Sequence, residues 1–415
     1  MAYTPENRMY TGPGFPLSRR NLFKGAGISA LAGVTSCQDS GGKAGAAQRI
    51  PLVDFASIGV RPMINCKGTY TIISGSLMLP EVKAAMKAAT ESYVHMDELM
   101  EGVGRRIAEL TGAEWGMVTA GCNAAQFGAA CAAIVGTDPE KMALLPDTTG
   151  MKNEMLTPAS HRNVYDRAFT MSGATLIGCE TVEDMEKKVS DRTAMICVLG
   201  DQSDRGNILL EDLVRIGKEN GIPVMVDAAA ERPDAPNLYI EAGCDLVAYS
   251  GGKCLRGPQS SGLLIGRKDL CKAAFFNLAP HHSPGRPMKC GKEEIMGCLA
   301  ALDLWINGRD HDAEWREWLR RFQYITDEVT TITSVKTEVV NPRMRSNDAP
   351  RLSITWDRDV VKIDPVEVSR LLDEGDPRIA MNAGRNGMSI MSYMMEDGDE
   401  IPVARRLREV LSGAV

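Results

Sequence analysis

The 415-residue chain is short of several things, and each shortage removes a class of function. Histidine occurs only at positions 95, 161, 281, 282 and 311, and none of the eleven cysteines is spaced C-x-x-C, so a zinc or redox pair has no support. No metal ligand set suggests itself. Basic residues number 47 against 54 acidic ones, a net charge of −7, which argues against a nucleic-acid partner read through a basic face. Neither G-x-G-x-x-G nor G-x-x-x-x-G-K-S/T occurs, so nucleotide-binding loops are not expected. No internal repeat is present. What remains, 44% hydrophobic and 24% charged residues, describes a globular protein large enough for a sizeable core and two domains.

The N-terminus stands apart. "SRRNLFKGAGISALAGVTSC" places Arg19 and Arg20 before a short, weakly apolar run that ends at Cys37. This order resembles a twin-arginine export signal closing in a lipobox, with Cys37 as a lipidated first residue. The run is too short for a spanning helix. The expectation is a periplasmic protein or a membrane-anchored lipoprotein; the alternative is a flexible extension that contains Arg-Arg. "QDSGGKAGAAQ" then reads as a small-residue linker. Several cysteines lie in apolar segments, such as Cys131 in "AACAAIV" and Cys197 in "MICVLG", where free buried thiols are expected. An even count after processing at Cys37 also permits disulfides.

From there to about residue 300, apolar strand candidates alternate with amphipathic helices. "AEWGMVTAG", "TAMICVLG", "IPVMVDA" and "DLVAYSG" read as strands, while "NAAQFGAACAAIVG" and "LLEDLVRIGKENG" read as helices, the second closed by glycine. That alternation predicts an α/β fold with a mainly parallel sheet covered by helices. "KEEIMGCLAALDLWI" continues into "WREWLRRFQYITDEV", with polar breaks at 307–312. Beyond residue 330, strand candidates "SVKTEVV", "RLSITWD" and "MSIMSYM" mix with helices "DPVEVSRLLDEG" and "IPVARRLREVL", predicting a smaller α/β domain with a partly antiparallel sheet. The expected division is 1–37 signal, 38–50 linker, 51–305 large domain with 51–80 a candidate arm, and 306–415 small domain.

Chemistry concentrates in "YSGGKCLRGPQSSG", Tyr249 to Gly262. Lys253 sits there among Gly251, Gly252, Gly257 and Gly262, and Asp227 ends the apolar strand "IPVMVDA" upstream. An acid at the carboxyl end of a buried parallel strand lies where such sheets bind ligands. It could keep a pyridine nitrogen protonated while the lysine bonds covalently to the same cofactor, pyridoxal 5'-phosphate. "TAGCNAA", Thr119 to Ala125, offers a glycine turn and a helix start suited to phosphate, with Ser250 adding a hydroxyl. His161 in "ASHRNVYDRAF" could stack on the ring. Alone, Lys253 reads as a surface turn, Asp227 as a strand-end cap and His161 as a satisfied polar residue. Their order and spacing favour the cofactor.

The segments "MINCKGTYT", "MDELMEGVGRRIAELTGAEWGMVTAGCNAA", "SHRNVYDRA", "GIPVMVDAAAE" and "AGCDLVAYSGGKCLRGPQSSGLLIGRKDL", about Met63 to Leu270, resemble the pyridoxal-phosphate enzymes of the aspartate-aminotransferase fold (fold type I). Within them the chain resembles the bacterial selenocysteine synthase group and its small-molecule relatives, such as D-glucosaminate-6-phosphate ammonia lyase. S-G-x-K-x-L-x-G-P-Q is the most specific piece. The resemblance implies a seven-stranded-type sheet, Lys253 as the Schiff-base lysine, Asp227 as the pyridinium partner and His161 as the stacking residue. It also implies that Cys122, Asn123 and Ser250 lie in the phosphate-binding segments. A homodimer or larger assembly is implied too, with 257–261 or His281, His282 and Ser283 as candidate contacts to the neighbour's cofactor. The short distance from Cys37 to the catalytic region leaves no room for the extra module of the tRNA-acting synthases, so a small amino acid or amino-sugar acid is the expected substrate.

The expected reaction is β-elimination, giving a 2-oxo acid and ammonia from a β-hydroxy amino acid or amino-sugar acid, with Lys253 as base. Arg385 in "MNAGRNGMS" is the candidate carboxylate ligand, and Arg256 and Arg61 are weaker candidates for a second anionic group. A racemase or epimerase, with Tyr70, His95 or Cys254 as a second acid, is the alternative, and a transaminase the next. Outside enzymes, a lipid-anchored binding protein on a retained fold would fit the same sequence.

Overall fold

The computed structural model describes residues 53–341 and 345–415. Arg19, Arg20, Cys37 and the 38–50 linker lie outside the described residues. The chain divides into two units, Met1–Ile58 and Gly59–Val415. The described end of the first holds one 3-10 turn, Ala56–Ile58; the second carries the fold described below.

Its first strand, β1 (Ile64–Asn65), is short. The next seven form the large sheet: β2 (Trp115–Thr119), β3 (Glu154–Pro158), β4 (Thr175–Cys179), β5 (Thr193–Leu199), β6 (Val224–Asp227), β7 (Leu246–Ser250) and β8 (Gly262–Gly266). They lie in the order β2-β8-β7-β6-β5-β3-β4. Only β8 runs against its neighbours; β7, β6, β5, β3 and β4 pair in parallel. Helices cover both faces, so the central strands are apolar without alternation: Met195, Ile196, Val224, Met225 and Val226 are all buried. The Cys122–Val135 helix is buried on nearly every side, which its alanines and Gly128 permit. The Leu210–Asn220 helix buries Leu213, Val214, Ile216 and Gly217 and stops at Gly221 in the left-handed region, φ 63°.

A second core forms around β9 (Lys336–Val340), β10 (Arg351–Thr355), β11 (Ile379–Ala380), β12 (Asn382–Ala383) and β13 (Gly387–Met391). Strands β12-β13-β10-β9 make a wholly antiparallel sheet, and β11 pairs in parallel with β1. Through that pairing Cys66 joins the C-terminal core. The expected break before this core is a π-helical turn, Leu304–Gly308, after which the His311–Val329 helix restarts under an Asp310 cap, whose Oδ1 accepts from Ala313 N–H at 2.9 Å. The large core runs from Val82 to Trp305, and both cores fall in the one compact unit.

The cysteine alternatives resolve in favour of thiols. All ten from Cys66 to Cys298 are free, and eight are buried.

Candidate active site

Parallel pairing brings the carboxyl ends of β5, β6 and β7 to one edge, at Leu199, Asp227 and Ser250. There a strand's polar residue can leave the apolar sheet. β2 ends at the same edge in Gly121, φ 88°, which turns the chain into the Cys122–Val135 helix. Among the described residues no side chain caps that helix, so the N–H groups of Cys122 and Asn123 remain available.

The glycines around Lys253 are required by close approach. A Cβ on Gly251 would stand 2.1 Å from Ser261 Oγ, and one on Gly262 2.5 Å from the Gly121 carbonyl carbon and 2.6 Å from Cys122 N. Gly251 N–H donates to Ser261 O and Gly257 N–H to Gly251 O, both at 2.8 Å. The turn after β7 is thus folded onto the 257–262 loop and the helix start, and Lys253 lines the cleft between them. The cleft has a volume of about 610 Å³ and is partly open to solvent. Asp227, Cys122, Asn123 and Ser250 share its wall, joined by Thr69, Thr71, Tyr165, Gln259 and Glu294.

Asp227 Oδ1 accepts from Ala229 N–H at 3.0 Å and faces Cys122 Sγ at 3.6 Å. Burial pushes its carboxyl above the usual range, while the Ala229 amide and the Lys253 charge pull it back. Burial likewise raises the Cys122 thiol, next to the Asp227 charge.

His161 is 2% exposed and lines a small adjoining cavity, about 20 Å³, with Gln126, Tyr165 and Asp227. Its Nδ1 accepts from Leu199 N–H at 3.2 Å, at the end of β5, next to the cleft wall at Tyr165 and Asp227. Arg385 is exposed in the β12–β13 connection, where its carbonyl accepts from Arg358. Arg256 is engaged elsewhere, donating to Leu77 O at 2.8 Å and to Glu396 at 2.5 Å, and Arg61 donates to Glu374 and Gly375 carbonyls. None of the three arginines lines the cleft, nor do Tyr70, His95 or Cys254. Cys254 Sγ instead meets Glu231 O at 3.2 Å.

Tyr165, Glu294 and Arg351 were not found by sequence reasoning. Arg351 opens β10; its Nε is buried without a partner among the described residues, and its charge acts on Tyr393. The Tyr393 hydroxyl bonds Thr69 Oγ1 at 3.3 Å, on the cleft wall. The signal available was "RLS" at the head of a strand, which any solvated strand end could show.

Comparison with known proteins bears on this geometry. Residues 173–398 match the aminotransferase class-V family model. The chain belongs to that family. D-glucosaminate-6-phosphate ammonia lyase of Salmonella typhimurium is 32% identical to this class-V chain over 267 residues, 61% of it and 70% of the relative. A solved structure of D-glucosaminate-6-phosphate ammonia-lyase superposes with a TM-score of 0.78 at 26% identity, covering 87% of this chain and 98% of that one. The 5'-C-glycyluridine monooxygenase-decarboxylase of a Streptomyces species is 29% identical over 388 residues, 86% of this chain and 92% of its own length. L-seryl-tRNA(Sec) selenium transferase of Carboxydothermus hydrogenoformans is 25% identical over 287 residues, 59% and 56% of the two chains.

This class-V chain is a pyridoxal-phosphate enzyme, and the cleft fits that cofactor. It offers an amine at Lys253, a desolvated carboxylate at Asp227 and an uncapped helix start beside Ser250. The backbone there lies so close that no larger residue than glycine could stand at 262.

Proposed function

We propose that this protein is an ammonia lyase that converts a small β-hydroxy amino acid or amino-sugar acid to a 2-oxo acid and ammonia. The observation that carries the reading is Lys253 and Asp227 sharing one cleft in a chain that matches 98% of the length of a solved ammonia-lyase. When bound, pyridoxal phosphate supplies an electron sink that acidifies the substrate's Cα–H. Asp227 holds the proton on the ring nitrogen. The first-turn amides of Cys122 and Asn123, with the Ser250 hydroxyl, receive the phosphate. Lys253 would anchor the cofactor and, as a free amine, would take the substrate's Cα proton. The substrate loses that proton and its β-hydroxide, takes back one water and leaves as a 2-oxo acid plus ammonia. Arg351, whose Nε has no partner among the described residues and whose charge reaches the Thr69 wall of the cleft through Tyr393, is given the carboxylate role first assigned to Arg385.

A second reading rests on the monooxygenase-decarboxylase relative, which matches more of this chain than the ammonia-lyase relative does, 86% against 61%. The two part on products. Equimolar ammonia and 2-oxo acid, formed without oxygen, is the outcome expected here. Oxygen uptake with release of carbon dioxide would replace it with the second reading.

The assembly is proposed to be a homodimer or larger. Support comes from apolar side chains left exposed near the cleft wall, Ile72 at 89% and Leu77 at 56%, flanking Thr71 and Met78. Export by the twin-arginine route, with a lipid anchor at Cys37, is proposed from the order of Arg19, Arg20 and Cys37.

A further inference from the structure

The segment "MINCKGTYT" reaches the cleft at Thr69 and Thr71, and the turn before Thr69 is firmly built. Asn65 Oδ1 accepts from Lys67 N–H and Gly68 N–H, both at 3.0 Å, and Asn65 Nδ2 donates to Gly68 O at 3.0 Å. Gly68 has φ 116°, which suits glycine, and a Cβ there would stand 3.4 Å from the Tyr393 hydroxyl. The turn is also tied to the antiparallel sheet. Asn382 Nδ2 donates to Lys67 O at 3.2 Å, and Met391 N–H donates to Cys66 O at 3.0 Å.

Behind Thr69 lies a triangle of oxygens. Tyr393 O–H reaches Asn347 Oδ1 at 3.1 Å and Thr69 Oγ1 at 3.3 Å, while Thr69 O–H reaches Asn347 Oδ1 at 3.4 Å. Two protons thus meet one acceptor, and the Tyr393 proton has the shorter path. The Thr69 proton can turn into the cleft at the loss of only the longest bond, leaving Tyr393 on Asn347. Tyr393 is 6% exposed, and burial pushes its hydroxyl up to about 12, so it stays a donor. Asn347 is fixed in turn: its φ is 52°, and its N–H donates to Ala230 O at 2.8 Å, just past Asp227.

A donor free to turn, beside a cationic side chain, suits an anion. Lys253 is the one cation among the described residues lining the cleft, and the cofactor takes it, so a substrate carboxylate needs donors from the wall. The Arg351 charge acts on Tyr393 from the same side. We propose that the Thr69 hydroxyl donates to the substrate carboxylate, and that Tyr393 and Asn347 are positioning residues that hold Thr69 for it. This rests on the reading of the cleft as a pyridoxal-phosphate site, and it adds a neutral donor to the charge assigned to Arg351.

The test uses two small amines on the holoenzyme. Aminooxyacetate and methoxyamine both remove the visible band of a lysine-bound cofactor, and of the two only aminooxyacetate carries a carboxylate. The readout is the ratio of their second-order rates, which requires no turnover. Thr69→Val, which keeps the shape and loses the hydroxyl, should lower that ratio roughly tenfold, the worth of a hydrogen bond to a charged group. Thr69→Ser should restore it. Tyr393→Phe and Asn347→Gly, the second compatible with φ 52°, should each lower it about threefold, near the lower end for a neutral hydrogen bond. Added to Thr69→Val, Tyr393→Phe should lower it no further, because both act through one hydroxyl. Methoxyamine rates should stay level throughout. Should Thr69→Val not fold, Thr69→Ala and Tyr393→Phe decide. A wild-type ratio near one, a ratio that no variant moves, or variants that slow both amines alike would overturn this inference and leave the cleft reading intact. A wild-type protein that forms no band would overturn both.

Discussion

The two sheets of this protein handle polar residues differently. In the large sheet, β6 and β7 are buried along their length and become partly open only at Asp227 and Ser250. In the antiparallel sheet, β10 alternates, with Leu352 and Ile354 buried and Arg351, Ser353 and Thr355 half-buried. In β6 and β7 the partly open polar residue stands at the strand end, where ligands bind. In the second, every other residue is polar because one face meets solvent. A polar residue is informative in one sheet and ordinary in the other.

Four substitutions can break or sharpen that contrast, taken from the largest effect down. Lys253→Ala, at the edge of the buried sheet, should lower turnover on the order of 10^4-fold, as expected for loss of a general base, measured as ammonia release at saturating cofactor. Glu231, just past β6, is 5% exposed and hydrogen-bonds Tyr239 Oη at 2.6 Å. Burial raises it from 4.5 to about 7. Its raised folded pKa means the native state keeps a proton that the unfolded chain has lost. Stability due to this group is thus full below pH 4.5 and is lost as pH rises through 7. Glu231→Gln should flatten a fall on the order of 3 kcal/mol between those pH values, read from urea midpoints. An unchanged pH profile would show that the acid is not desolvated.

In the solvated sheet the expectations are smaller and opposed for two arginines. Arg351→Ala should raise KM by roughly 10- to 100-fold, the loss of a charged hydrogen bond, with a smaller change in kcat. Arg385→Ala should leave kinetics unchanged and stability within about 0.5 kcal/mol. The reverse result would return the carboxylate role to Arg385.

The same contrast explains what could be read from the sequence. β2, β5, β6 and β7 were legible because their apolar runs end abruptly in Gly121, Leu199, Asp227 and Ser250. Lys253 was legible because the glycines that let the turn pack against Ser261 and Cys122 leave a recognisable spacing. β3, β4 and β8 were not, since "EMLTP", "TLIGC" and "GLLIG" are short and lack a distinctive polar end. β1, β11 and β12 are two residues each, and only the tertiary pairing of Ile64 with Ile379 makes the first two strands. Arg385 was chosen because it precedes a small-domain strand, where related enzymes often carry such an arginine, but it is exposed in the connection between β12 and β13. His161 was expected as the ring-stacking residue from its place in the chain; its bond from the Leu199 amide is a tertiary contact that no spacing encodes.

The most direct test of the central claim is to reduce the cofactor-loaded protein with borohydride and map the modified peptide by mass spectrometry. The account predicts a single pyridoxyl group on Lys253, in the peptide containing "SGGKCLRG", and none in Lys253→Ala. A pyridoxyl group on another lysine, or no modification of a protein that has bound cofactor, would contradict it.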